Sequence, residues 1–307
     1  MQRLFAYDAL ALAFYKLSLL PFKKNFGNRM VWLHVLLCLC FALSAQAHES
    51  IALKSRPGAG LFSSFNDVVS ALEAYDKGKI IGLEIAFGRE GIYYEESYGP
   101  NWWCYFCEPI VLGVKTNVRE GCHGQVGSLS ASDFRERPQE AHRLIQKYIR
   151  FQPHVLDKKN RFCQAHFAGS RVIGVHYRGT DWIWENNFPR VPYEVFAHHV
   201  RLAAASLGDS ACKIFVATDE QPFLEFMREA FPGRICCQEE AYRSRTDRSV
   251  HKDPSYDHAR QGEEAVLDCL LLAETNAFIG THSNLSQWVT FLNPRIPAVD
   301  LSGKTRF

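Results

Sequence analysis

The second half of the chain alternates short apolar runs with segments of helical periodicity, and this alternation restricts the fold more than any other feature. Five apolar runs predict strands, at 172–177, 213–218, 234–238, 277–281 and 298–301. Four intervening segments predict helices, at 192–207, 222–231, 263–275 and 284–292. Strands that alternate with helices of this length form βαβ units, whose strands are parallel. We therefore expect residues 169–307 to form an α/β domain around a parallel sheet.

Residues 48–168 have a less regular pattern, and we assign them to a separate N-terminal lobe. One strand is predicted around 79–86, before a loop rich in Tyr, Trp and Gly. Helical periodicity predicts three helices, near 66–75, 138–151 and 155–167. No strand order follows from this pattern.

Residues 1–47 have the composition of a targeting segment. The run 31–47 contains no Asp, Glu, Lys or Arg, follows a basic patch at 23–29 and ends in Ala45-Gln46-Ala47. An apolar run that ends in such an A-x-A pattern favours a signal peptide, although an uncleaved signal anchor or a buried helix stays open. We expect a protein of the secretory pathway, in the ER or Golgi lumen or exported, with a single membrane anchor as the alternative.

Charge and cysteine content restrict the function classes. The formal net charge is +2, with 35 Lys and Arg against 33 Asp and Glu, which does not favour a nucleic-acid binder. An even number of cysteines follows Ala47, which permits disulfides in an oxidising compartment, and buried thiols are the alternative. Cys104-x-x-Cys107 with Cys122-His123 suggests zinc, but no second ligand pair with the usual spacing follows.

Polar side chains follow three of the predicted strands. The stretches are HYRGTD at 176–181, ATDE at 217–220 and GTHSN at 280–284, the last of which leads directly into a predicted helix. Ligands of an open parallel sheet bind at the carboxyl ends of its strands. These three stretches therefore predict one binding site.

The chemistry of these strand ends suits a diphosphate. Arg178 offers a planar fork of donors that stays charged, and the backbone N–H groups at the helix start after Ser283 favour an anion. The alternative is structural: an internal salt bridge of Arg178 and loop capping by the carboxylates and hydroxyls.

Three segments resemble the motifs of the GDP-fucose-dependent fucosyltransferase superfamily, among them the nodulation and core α-1,6 enzymes and the protein O-fucosyltransferases. The segments are GVHYRGTD at 174–181, FVATD at 215–219 and GEEAVLDCLLLAETNAFIGTHSNLS at 262–286. The resemblance implies a GT-B-like α/β fold of two Rossmann-like lobes, with the donor bound by the C-terminal lobe. It also implies inverting, metal-independent transfer of fucose from GDP-fucose to a glycan or glycoprotein acceptor, without a cofactor.

The resemblance also implies roles for individual residues. Arg178 would hold the β-phosphate and neutralise the leaving GDP, and His176 would lie against the nucleotide. Asp219 and Asp268 match positions at the nucleoside end of the donor. The third motif, at the phosphates, supplies Thr281, Ser283 and Asn284. The sequence departs from the core α-1,6 enzymes at Gly179, where those enzymes have a second arginine, and this difference bears on the linkage.

The acceptor side is predicted only as candidates. Trp102 and Trp103 have rings that could stack on a sugar in the cleft, and core packing is the alternative for both. Four carboxylates are candidate bases or solvated surface groups: Glu84, Glu95, Glu96 and Glu108. Two further functions stay open, a non-catalytic carbohydrate- or nucleotide-binding protein of the same fold and a transferase for another nucleotide sugar.

Overall fold

The polar strand ends belong to a parallel sheet of five strands. This computed structural model describes residues 49–125, 133–180, 190–246, 253 and 255–303, and residues 48–307 form one compact unit. The described residues form two sheets, and this one is the second along the chain. Its strands are β5 (Val172–Tyr177), β6 (Lys213–Thr218), β7 (Ile235–Cys236), β8 (Ala277–Gly280) and β9 (Ala298–Asp300). All five run parallel, in the order β7-β6-β5-β8-β9, as the alternation predicts.

The strand order reverses beside β5, which creates a crevice at the carboxyl edge of the sheet. The chain passes outward from β5 through β6 to β7 and then returns to β8 and β9 on the other side of β5. His176 is in register with Ala217 on one side and with Gly280 on the other. The three polar stretches therefore leave the sheet at the same level, at its topological switch point.

Helices connect these strands with bounds close to those predicted. They are α4 (Tyr193–Ser206), α5 (Gln221–Ala230), α6 (His258–Ala273) and α7 (Asn284–Leu292). The side chain of Asp257 accepts a hydrogen bond from the Arg260 backbone N–H and caps α6. Ser283 caps α7 in the same way, by accepting from the N–H of Ser286 at 3.0 Å. Such caps satisfy backbone donors that would otherwise lack partners.

The N-terminal half contains a smaller, mixed sheet. Its strands are β1 (Ser50–Leu53), β2 (Gly82–Ile85), β3 (Val111–Gly113) and β4 (Val118–Gly121), in the order β3-β2-β1-β4. β1 pairs in parallel with β2 and β4, whereas β2 and β3 are antiparallel. The helices of this half are α1 (Leu61–Asp76), α2 (Pro138–Tyr148) and α3 (Pro153–Phe162). The sequence predicts β2 and the helices, but not the other three strands.

A single apolar cluster joins elements of both sheets. Phe65 of α1 packs between Trp103 and Trp288, with ring centroids 4.8 Å and 5.2 Å away. Asn66, the next residue, accepts a hydrogen bond from the Trp288 indole N–H at 2.7 Å. Helix α1 therefore packs directly against α7, which begins at the third polar stretch.

Candidate active site

The carboxyl edge of the second sheet borders a cavity of about 120 Å³. His176 and Arg178 line it from the end of β5, Asp219 from the end of β6 and Asp268 from α6. These four residues come from three separate segments of the sequence, and the fold brings them together as the motif pattern predicts. Their individual roles stay predictions.

A second cavity, of about 420 Å³, adjoins Arg178. Ser283 and Asn284 line it from the start of α7. Residues 58–63, which are the end of the loop before α1 and the first three residues of that helix (hereafter the loop 58–63), line it from the N-terminal half. Arg178 is shared by both cavities, as are Tyr93 and Leu285. A ligand that extends through both cavities would therefore pass the Arg178 side chain.

His176 is buried and uncharged. Only 6% of the residue is exposed, and its Nδ1 lies 2.8 Å from the Ser286 Oγ of α7. Burial and the neighbouring Arg178 guanidinium lower the pKa of His176 to about 3. The imidazole is therefore neutral at physiological pH and contributes hydrogen bonding rather than charge.

Two side chains hold the loop that carries Arg178. Asp219 accepts hydrogen bonds from the Gly179 N–H at 3.2 Å and from the Thr180 hydroxyl at 2.7 Å. The Thr281 hydroxyl accepts from the Arg178 backbone N–H at 3.4 Å. Both side chains were predicted to bind the donor. In the structure they hold the backbone next to the arginine. Thr281 is 2% exposed and is not among the residues that line either cavity.

The space beside Gly179 is filled by neighbouring side chains. A Cβ at this position would lie 2.2 Å from the Glu220 Oε2 and 2.5 Å from the Tyr177 ring. Arg190 donates to the Glu220 Oε1 at 3.0 Å and to the Gly179 carbonyl oxygen at 3.3 Å. The Glu220 carboxylate therefore occupies the space that a side chain at residue 179 would need.

Asp268 is a partly buried carboxylate that lines the first cavity. Its Oδ1 accepts a hydrogen bond from the Gln238 side-chain amide at 2.6 Å. Burial raises the pKa of Asp268 to about 7, and it also raises the pKa of Glu264, one helical turn earlier. The Asp268 side chain can therefore donate a hydrogen bond into the cavity when it is protonated, and can only accept one when it is ionised.

Sequence reasoning missed several residues that line the first cavity. Gln261, Glu264 and Ala265 share a face of α6 with Asp268, and their spacing of three or four residues could have revealed them. Tyr93 and Tyr242 come from irregular segments, where no periodic signal marks them.

The loop 58–63 was also missed as part of the site. The Arg56 guanidinium fixes it by donating to the Ser63 Oγ at 2.7 Å and to the Asp67 carboxylate at 2.8 Å. Gly58 has a φ of 71°, a conformation that favours glycine. The pair of glycines directly before a helix was the signal available in the sequence.

Asn284 connects the site to α1. Its Oδ1 accepts a hydrogen bond from the Asn66 side-chain amide at 3.2 Å. The same Asn66 amide donates to the Gln287 Oε1 at 3.1 Å. The Asn284 side chain is therefore held at the rim of the second cavity by the N-terminal half.

The structure corrects the acceptor-side interpretation of Trp102 and Trp103. Both rings are 0% exposed, so neither has a free face for a sugar. The Trp102 indole donates to the Ser55 Oγ at 3.3 Å, and the Trp103 indole donates to the Glu108 carbonyl oxygen at 2.9 Å. The rings pack in the core and the indole N–H groups donate hydrogen bonds there. Core packing is the alternative that the sequence left open.

The four candidate carboxylate bases do not line either cavity as the structure describes them. Glu84 forms an ion pair with Lys115 at 2.7 Å, and Glu96 forms one with Arg89 at 2.5 Å. Glu95 accepts from the His258 backbone N–H at 3.4 Å, and Glu108 is exposed.

The eight cysteines after Ala47 all lie within the described residues and are free thiols. Cys107 is buried and Cys104 partly buried, and burial raises the pKa of both thiols. Among the described residues, no group of three or more His, Cys, Asp and Glu side chains has the arrangement of a metal site.

No described helix is both long enough and apolar enough to span a bilayer. The targeting segment 1–47 lies outside the described residues.

Known proteins are similar to this chain in sequence and in fold. Nodulation protein Z of Azorhizobium caulinodans is 26% identical over 179 residues, which are 54% of this chain and 51% of that protein. The chain thus spans about half the length of this relative. A crystal structure of the NodZ α-1,6-fucosyltransferase with GDP matches with a TM-score of 0.50 and 20% identity, over 84% of this chain and 97% of that one.

A complex of POFUT1 with GDP-fucose matches less closely, with a TM-score of 0.40 and 16% identity, over 60% of this chain and 53% of that one. The NodZ match assigns the α/β fold to the GT-B type, as the motif resemblance implies. The family model for nodulation protein Z (NodZ) matches residues 134–307. Since this match covers more than half of the sequence, the chain belongs to the NodZ family, within the superfamily of GDP-fucose-dependent fucosyltransferases.

Proposed function

We propose that this protein transfers fucose from GDP-fucose to a glycan or glycoprotein acceptor, with inversion and without a metal ion. The observation that carries the proposal is the position of Arg178, which lines both cavities beside the capped start of α7. Membership of the NodZ family and the α-1,6-fucosyltransferase activity of the solved relative support it.

The two cavities suit the two ends of the donor. The first, with His176 and Asp268, has neutral and titratable hydrogen-bonding groups for a nucleoside. The diphosphate would lie at Arg178 and the amino end of α7, where a guanidinium and free backbone N–H groups favour negative charge. The sugar and the acceptor would then occupy the second cavity, between α7 and the loop 58–63.

The chemistry follows from this placement. When the acceptor hydroxyl oxygen attacks C1 from the face opposite the diphosphate, the bond from C1 to the β-phosphate oxygen breaks and its electron pair leaves with GDP, while the hydroxyl proton is released to solvent. Charge therefore develops on the β-phosphate, and stabilising this charge is the main requirement of the step. Arg178 meets this requirement because it is charged at every relevant pH.

The first experiment concerns turnover. We expect fucosylated product when the protein is incubated with GDP-fucose and a panel of glycans and glycoproteins, assayed by mass spectrometry. Binding of GDP-fucose with neither transfer nor hydrolysis would instead support a non-catalytic protein of the same fold. Transfer from a different nucleotide sugar, with GDP-fucose inactive, would refute the assignment of the donor.

The second experiment concerns the nucleotide and the metal. GDP should raise the melting temperature more than UDP at equal concentration, since a ligand that binds only the native state stabilises it. Transfer should continue in excess EDTA. Loss of activity in EDTA with recovery on addition of manganese would contradict the metal-independent mechanism.

We also propose that the protein enters the secretory pathway and loses residues 1–47. The support is the uncharged run that ends at Ala45-Gln46-Ala47. Mass spectrometry of protein expressed in a secreting host should give His48 as the mature amino end. Intact protein in membranes would favour the anchor, and a cytosolic pool would contradict both.

A further inference from the structure

His176 and Ser286 belong to a buried hydrogen-bonded cluster at the candidate site. The Nδ1 of His176 lies 2.8 Å from the Ser286 Oγ, and both residues are buried. Ser286 lies in the first turn of α7, the helix whose start borders the second cavity.

The single hydroxyl hydrogen of Ser286 is already committed. Its Oγ lies 2.7 Å from the Thr281 carbonyl oxygen, which can only accept a hydrogen bond. The Ser283 hydroxyl donates to the same Ser286 Oγ at 3.2 Å, while its own oxygen accepts from the Ser286 N–H at 3.0 Å. Ser286 therefore has no hydrogen left for His176 and can only accept from it.

We propose that Ser286 is a positioning residue that holds the His176 proton on Nδ1 and so leaves Nε2 as a hydrogen-bond acceptor for the nucleotide. A neutral imidazole has one protonated nitrogen, so donation by Nδ1 leaves a lone pair on Nε2. His176 lines the first cavity, and Nε2 lies on the other side of the ring from Ser286.

This tautomer determines which ligand groups can form a hydrogen bond with His176. An acceptor nitrogen needs a hydroxyl or N–H partner, and a phosphate oxygen without a proton offers neither. The group at His176 is therefore a hydroxyl or N–H of the nucleoside, and the phosphates lie at Arg178 and the start of α7. This inference rests on the proposed function for the identity of the ligand, but the tautomer itself does not.

The tautomer can be measured directly on the full-length protein. Long-range ¹H–¹⁵N correlation spectra distinguish Nδ1–H from Nε2–H imidazoles, and the His176 signals are assigned by their loss in His176→Gln. We expect the Nδ1–H form without nucleotide and with GDP. An Nε2–H form of His176 in the wild-type protein would overturn the proposal.

Variants of α7 test the consequence for binding. Ser286→Ala should weaken GDP binding about tenfold, the scale of one lost hydrogen bond, and should raise KM for GDP-fucose more than it lowers kcat. Ser286→Thr, which keeps the hydroxyl, should restore most of the binding. The matched control is Thr290→Ala, which removes a hydroxyl on the same helix that donates to the Gln287 carbonyl oxygen at 2.7 Å.

The outcomes separate this inference from the proposed function. GDP binding that is equally strong in Ser286→Ala and in Thr290→Ala would refute the positioning role. Absence of fucosyl transfer with GDP binding that depends on Ser286 would refute the enzyme and leave the tautomer assignment in place. If Ser286→Ala does not fold, the wild-type spectrum alone decides.

Discussion

The two sheets contribute to the candidate site in different ways. From the second sheet come charged and hydrogen-bonding side chains at the ends of β5 and β6, in register with one another. From the N-terminal half come the residues of the loop 58–63, together with Tyr93. The difference shows that the predicted donor-binding side chains lie at or next to rigid sheet ends, whereas a connecting segment shapes the remaining space.

The largest expected effect concerns the core of the N-terminal half. Trp103→Ala should lower the free energy of unfolding by about 3–5 kcal/mol, because it removes a fully buried ring that packs on Phe65. Urea unfolding measures this. The control is Tyr98→Ala in the same loop, whose side chain is exposed and should matter by less than about 1 kcal/mol. An unchanged stability of Trp103→Ala with a raised KM for the acceptor would instead restore the stacking role.

Variants of Arg178 test the contribution of the second sheet to turnover. Both Arg178→Ala and Arg178→Lys should lower kcat/KM for GDP-fucose by at least about two orders of magnitude, since lysine lacks the bidentate fork. Circular dichroism should show both variants folded. Arg89→Ala removes an exposed guanidinium from the N-terminal half and should leave kcat/KM within about twofold. Near-normal turnover of a folded Arg178→Ala protein would show that the charge comes from elsewhere.

Variants of Asn66 test the hydrogen bonds that connect the N-terminal half to α7. Asn66→Ala leaves the buried Trp288 indole N–H without its acceptor and should cost about 1–3 kcal/mol of stability. Asn66→Asp keeps that acceptor but loses the amide that donates to Asn284 and Gln287. We expect the aspartate variant to unfold at a higher urea concentration than the alanine variant. The reverse order would mean that the contacts with Asn284 and Gln287 dominate.

Asp268 gives an effect that is visible only as a dependence of stability on pH. Its pKa is raised from 3.8 to about 7, so the native state binds a proton that the unfolded state has released. This contribution to stability is complete below about pH 4 and is lost as the pH rises to about 7, by at most about 1.4 kcal/mol per pH unit. Asp268→Asn cannot titrate, so its stability relative to wild type should increase over this window. A constant difference from pH 4 to 7 would contradict the raised pKa.

The second sheet could be predicted from the sequence in detail. The strands β5 and β6 and the helix α7 have the predicted bounds, because buried parallel strands are continuous apolar runs and Ser283 is a recognisable cap. The positions of His176, Arg178 and Asp219 at one edge follow from the rule that parallel strands end at the same side, whereas Asp268 reaches the cavity from within α6.

The first sheet could not be predicted as well. β3 and β4 are three or four residues long and largely exposed, so they lack both an apolar run and a clear alternation. The loop 58–63 becomes part of the site only because α1 packs on α7, and that contact joins residues more than 200 positions apart. Local patterns carry no information about such a pair.

The sequence by itself determined the α/β class, the parallel sheet and the polar strand ends, because each depends on residues that are neighbours along the chain. Only the tertiary structure decided that Trp102 and Trp103 are core residues, that Glu220 excludes a side chain at Gly179 and that burial raises the pKa of Asp268. It also decided the proton position on His176, through a serine 110 residues away. These properties depend on burial and on partners from distant segments, and packing alone brings such partners together.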